Sequence, residues 1–145
     1  MTFNADNAAD QLLPPDDPTT PDRTVALAAL IAELTRRLNH AINDPDVFTH
    51  PQQVDGVIAA LADHANLLPQ LLHQLAVHMH AFAMDPRIGM DGLGPRGNPA
   101  RLADAAGGAL DAAADRALVF AAKLRTARQA TAGLKLNDGE GVVGE

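Results

Sequence analysis

The segment 51–84 carries apolar side chains at helical spacing straight through a proline. Val54, Val57, Ile58, Leu61, Ala65, Leu68, Leu72, Leu75, Met79 and Phe82 follow one another by threes and fours, with no slip of phase at Pro69. Such a period admits a helix and excludes a half-buried strand, where apolar residues alternate. Proline inside a helix removes one hydrogen bond and crowds the carbonyl four residues earlier. The unbroken phase predicts a single long helix over 51–84, kinked at Pro69. A break near Asn66 would instead divide it and turn the chain into a four-helix bundle.

Two further stripes flank this one. Thr20-Pro21-Asp22 has the chemistry of a helix start: a capping hydroxyl, a proline at the first position and a carboxylate near the positive end of the dipole. Leu27, Leu30, Ile31, Leu34, Leu38, Ala41 and Ile42 follow at helical spacing, Glu33 and Arg37 form an i,i+4 pair on the wet side, and Asn43-Asp44-Pro45 ends the segment. Asn98-Pro99 opens the last helix, whose stripe is Leu102, Ala106, Ala109, Ala113, Ala117, Phe120, Leu124, Ala127 and Thr131, with Gly133 as its stop. Most of these are alanines. Alanine makes up 29 of the 145 residues, and the chain has no Trp, no Tyr and only four Phe. A seam of small side chains lets two helices approach near the short end of the usual range, about 8 Å. Gly107-Gly108 reads as a local weakness, costing about 1 kcal/mol per glycine relative to alanine.

The expected fold is all-α: an antiparallel three-helix bundle or long helical hairpin over 21–132. A disordered, acidic, Pro-rich arm precedes it over 1–20, and a short flexible tail follows over 133–145. In the arm, Phe3, Leu12 and Leu13 could serve as a short docking motif.

Charge and composition exclude several kinds of function. The formal charge is −7, with five Asp and no basic residue in 1–22. An acidic chain repels phosphate, which disfavours nucleic acid as a partner. Arg116, Lys123, Arg125 and Arg128 cluster on the last helix but lack interleaved aromatics, so they read as a solvated face or a contact for an acidic segment. Without Cys there is no disulfide, thiol nucleophile or Cys-based metal site. Without Ser as well, a nucleophile–base arrangement has only Thr to draw on, and the threonines sit mostly at caps or in the arm. Asp111 and Asp115 fall on the charged face as solvated carboxylates. Glu occurs only at 33, 140 and 145, which leaves no di-metal carboxylate pattern. No catalytic residue, cofactor or metal is therefore expected. No apolar run is long enough for a transmembrane helix, and the acidic N-terminal stretch is the reverse of a signal peptide. A cytoplasmic location is the expectation, with signal-independent export as the alternative. Nine Arg against two Lys, with abundant Ala, Asp and Gly, points to a GC-rich bacterial genome.

Histidine placement is the most unusual feature. His50, His64, His73, His78 and His80 lie in a stretch, 45–84, that has three Asp and no Lys or Arg. Protonation would swing its charge from −3 to +2 across the ordinary histidine range. His73 and His80 are seven residues apart and His78 and His80 two apart, neither a chelating pair on one helix. They read as polar residues beside a packed stripe, with a pH-sensitive association as the functional alternative. His73, Val77, His80 and Met84 form a second stripe, and Leu67 and Leu71 widen the apolar surface on the other side. A helix apolar nearly all round is usually buried on more than one side. Leu67, Leu71, His73, Val77, His80 and Met84 are therefore the expected interface, toward a second copy or another helical protein.

Gly92-x-Gly94-x-x-Gly97 matches a dinucleotide fingerprint in letters only, since no strand precedes it. A loop joining antiparallel helices explains the glycines, while Arg87, Arg96 and Arg101 around it are candidate anion contacts. In outline the Ala-rich hairpin resembles the small substrates of type VII secretion. Those carry a Trp-x-Gly turn, whereas this turn reads Gly-Met-Asp-Gly-Leu-Gly over 89–94, so the resemblance implies no function here. The reading that follows is a non-catalytic helical interaction or assembly protein, with a small anion- or ligand-binding protein as the alternative.

Overall fold

A computed structural model describes residues 4–12, 14, 16–92 and 96–136. Four helices, and no strand, occur among them: α1 (Ala5–Leu12), α2 (Pro21–Ala41), α3 (Pro51–Ala83) and α4 (Pro99–Thr131). Helix α3 runs unbroken through Pro69. The fourth helix arises instead within the segment expected to be disordered. Asn4 caps α1 by accepting the Asn7 backbone N–H at 3.2 Å, and three alanines supply the strongest helix-forming side chain. Phe3 and Leu13 lie outside the described residues, as do Gly94 and the tail beyond 136.

The chain forms two compact units, Met1–Val47 and Phe48–Glu145. In the first, Thr20 caps α2 through the Arg23 N–H, and Arg23 pairs with Asp17 at 2.8 Å. Glu33 accepts from both Arg36 (2.8 Å) and Arg37 (2.7 Å), and these guanidiniums, Arg36 first, pull its carboxyl down to about 2. No residue of α2 is buried.

The second unit is an antiparallel hairpin of α3 and α4. Gln53 opens α3 by reaching back to accept the Thr49 and His50 backbone N–H groups. Asn98 caps α4 through the Arg101 N–H at 3.1 Å, and Gly133, at φ +85°, takes the left-handed conformation just past its end. Every buried side chain in the hairpin is an alanine: Ala62, Ala65 and Ala76 on α3, and Ala103, Ala114, Ala117 and Ala121 on α4. Gly107 is buried among them.

This seam keeps Ile58, Ala65, Leu72 and Met79 of the expected α3 stripe and Ala117 and Leu124 of the expected α4 stripe, and moves its other members by one position. On α3 it runs Ile58, Ala62, Ala65, Pro69, Leu72, Ala76, Met79, Ala83; on α4 it runs Ala103, Gly107, Leu110, Ala114, Ala117, Ala121, Leu124. Both alternate threes and fours, the 3.5-residue repeat of a left-handed helix pair. Leu61, Leu75 and Phe82 on α3, and Leu102, Ala109 and Phe120 on α4, were expected inside and are exposed. Close approach is the reason. Alanine and glycine occupy the most buried positions of the line of contact, and Ile58, Leu72, Met79, Leu110 and Leu124 fill the half-buried positions between them.

Replacing a seam alanine should therefore cost more than removing a large exposed side chain. Ala65 and Ala76 have no accessible surface. Ala76→Leu should lower stability by about 1–3 kcal/mol through overpacking, while Leu67→Ala should change it by less than about 0.5 kcal/mol. Urea unfolding of the two variants beside the native chain measures both.

Candidate functional site

A 3.5-residue repeat fixes what lies beside the seam. One row of α3 residues, seven apart, is Asn66, His73 and His80; the matching row of α4 is Asp104, Asp111, Leu118 and Arg125. Because the helices are antiparallel, these two rows meet. Arg125 donates to Asn66 Oδ1 at 2.6 Å, His73 Nδ1 lies 3.0 Å from Asp111 Oδ1, and His80 bridges two carboxylates. Its Nδ1 is 2.9 Å from Asp104 Oδ1 and its Nε2 is 3.2 Å from Asp111 Oδ2. At the distal end, Thr131 donates to Asp55 at 2.6 Å.

Gly107 makes the bridge possible. It lies between Asp104 and Asp111 in sequence, and the His80 ring rests against it. A Cβ at this position would come within 2.6 Å of His80 Cε1 and 2.8 Å of both ring nitrogens. The adjacent Gly108 faces nothing within 4 Å. Gly107 is thus a slot for the ring rather than a mere weakness in the helix.

The electrostatics follow from the geometry. Asp111 first, then Asp104, raises the His80 pKa above its ordinary 6.5. Asp111 is held below its ordinary 3.8 by hydrogen bonds from His73, then His80. The expectation that Asp111 is merely a solvated carboxylate gives way to a shared acceptor for two histidines. The signal was present in the sequence as a seven-residue spacing on both helices, but it becomes meaningful only once the register pairs them.

The opposite side of the seam is apolar. Its α3 row, also seven apart, is Leu61, Leu68, Leu75 and Phe82; its α4 row is Ala106, Ala113, Phe120 and Ala127. Leu68 is half-buried, whereas Leu61, Leu75, Phe82 and Phe120 are exposed, the two phenylalanines by half or more. Leu71 and Leu102 border the strip and are exposed as well.

The expected interface residues therefore divide. Leu67, Leu71, Val77 and Met84 are exposed, Met84 by 85%. His73 and His80 turn to the α4 carboxylates, so a partner surface does not have them as free apolar contacts. Of the candidate anion contacts, Arg87 is taken by Asp85, which accepts from its guanidinium at 2.6–3.2 Å and holds its charge matched. Arg96 and Arg101 are exposed, and the Arg101 backbone N–H is committed to the Asn98 cap. Among the described residues no group of His, Asp or Glu is arranged to hold a metal ion, and no helix is long and apolar enough to cross a membrane.

The two neighbouring glycines supply an internal comparison. Gly108→Ala should raise stability by up to about 1 kcal/mol, the helix-propensity difference. Gly107→Ala should return less than that or lower stability, because the new methyl expels the His80 ring. Thermal unfolding at pH 6 compares them, and equal gains would show that the ring does not occupy the slot.

Compared with known proteins, the chain matches no protein-family model, no curated protein and no solved structure.

Proposed function

We propose that this is a non-catalytic helical assembly protein whose α3–α4 hairpin associates with a second copy through the apolar strip of Leu61, Leu68, Leu75, Phe82 and Phe120. The observation that supports this reading is the distribution of side-chain size. The residues the hairpin buries fully are alanines and Gly107, whereas Leu61, Leu75, Phe82 and Phe120 are exposed and Leu68, Leu72, Leu110 and Leu124 are only half-buried. A fully buried Leu or Phe contributes about 1.5–3 kcal/mol, against about 0.8 kcal/mol for a methyl-sized group. Much of the apolar surface of these large side chains is thus left uncovered within the hairpin itself. The strip from Leu61 to Phe82 extends about 30 Å at 1.5 Å per residue, and it draws on both helices. Two such strips laid together would place the large side chains in the interior of a four-helix arrangement, with the charged rows outside.

Helix α3 adds a supporting feature. It carries no Lys or Arg, so no long cationic side chain competes for the strip along it. Catalysis has no comparable support, since the titratable groups brought together at His73, His80, Asp104 and Asp111 are engaged with one another.

Sedimentation equilibrium tests the reading directly. The native chain should gain mass with concentration, and Leu75→Lys/Phe120→Lys should remain monomeric with unchanged helical circular dichroism. A native chain that stays monomeric at high concentration would overturn self-association.

A further inference from the structure

We propose that His80 is a pH-sensitive clasp: doubly protonated, it holds the loop end of the α3–α4 hairpin closed, and loss of one proton releases that end while the other stays shut. The inference is independent of whether the protein self-associates.

Donor and acceptor accounting carries the argument. Both ring nitrogens face carboxylate oxygens, Nδ1 toward Asp104 at 2.9 Å and Nε2 toward Asp111 at 3.2 Å. An ionised carboxylate only accepts, and a neutral imidazole has one N–H and one lone pair. Only the imidazolium donates to both. With the neutral ring, whichever nitrogen lost its proton would set a lone pair against a carboxylate. The slot at Gly107 holds the ring in that position, between carboxylates three residues before and four residues after the glycine. The charged groups that face the ring from α4 are Asp104 and Asp111. On α3, His73 acts through Asp111, which it shares at 3.0 Å.

The direction of the pH dependence is set by the two shifts. His80 is raised above 6.5, so its contribution is complete below 6.5 and is lost as pH rises through the raised value. Asp111 is lowered below 3.8, so its contribution is complete above 3.8 and is lost only as pH falls through the lowered value. The clasp is at full strength between these limits and fails first on the alkaline side.

Release is confined to one end because the ends are fastened differently. Beside the clasp the fully buried seam residues are Ala76, Ala103 and Gly107, with Met79, Ala83 and Leu110 only half-buried, and the side-chain contacts that cross the helices there all run through histidine. Toward the other end, Arg125–Asn66 and Thr131–Asp55 cross the helices at 2.6 Å each. Neither of these contacts contains an imidazole, the side chain whose charge changes near neutrality.

Long-range ¹H–¹⁵N spectra of the imidazoles and amide hydrogen exchange, both recorded on the full chain from pH 5.5 to 9, test the proposal. His80 should carry protons on both nitrogens at pH 5.5 and titrate with a midpoint above 6.5. Protection of amides in 76–83 and 103–111, corrected for intrinsic exchange, should fall with pH by up to about tenfold per unit over that titration. Protection in 55–66 and 124–131 should stay level. Asp104→Asn should lower the midpoint, and His80→Gln should remove the pH dependence at the loop end. A midpoint at or below 6.5, or protection that changes equally at both ends, would overturn the clasp. Both readings come from the native chain, so failure of a variant to fold leaves the test intact.

Discussion

The closeness of α3 and α4 is the constraint on which the hairpin depends. Alanine at Ala65 and Ala76, and glycine at Gly107, set how near the two backbones come. Once that distance is short, side-chain length decides everything around it. Leu61, Leu75, Phe82 and Phe120 fall on one flank, where they are exposed, while Leu72, Leu110 and Leu124 stay half-buried in the seam. Short polar side chains on the other flank reach across, because Asp104 and Asp111 stand close enough to hydrogen-bond a histidine ring directly. A wider pair packed through leucines would lose both features together.

The two flanks then have different physical roles. The polar flank is satisfied inside the hairpin through His73, His80, Asp104, Asp111, Asn66 and Arg125, and it fixes register and orientation, since each pair forms only in one antiparallel alignment. The apolar flank is left exposed, and in the proposed assembly it is the surface that a second copy covers. The polar row says how the helices pair with each other, while the apolar row says where another helical surface would gain most by binding.

Much of the fold was legible residue by residue. Thr20, Asn98 and Gly133 marked helix ends through local hydrogen bonding and backbone conformation, which depend on few neighbours. The unbroken stripe across Pro69 showed a single helix. The segment 5–12 was read as disordered because the prolines and aspartates nearby dominate its composition, although Asn4 and three alanines suffice to form a short helix. The candidate site was only half legible. The spacing joins Leu67, Leu71, Val77 and Met84 with His73 and His80 in one expected interface; the four apolar side chains are exposed, whereas the two histidines turn to carboxylates. Their carboxylate partners lie 24 to 38 residues away in sequence, beyond the reach of any local pattern.

The sequence by itself determined that the chain is helical, where its long helices begin and end, and that no thiol or serine chemistry is available to it. These follow from period, capping chemistry and composition. Only the tertiary structure decided which of two adjacent apolar stripes lies in the seam. An Ala-rich helix offers several stripes of similar hydrophobicity, and the choice among them rests on the shape of the facing helix rather than on hydrophobicity. That choice turned both helices partway toward their small residues, keeping Ala65, Leu72, Ala117 and Leu124 in the seam. It turned Gly107 from a weak point into a seat for His80, and it gave two distant aspartates a common partner.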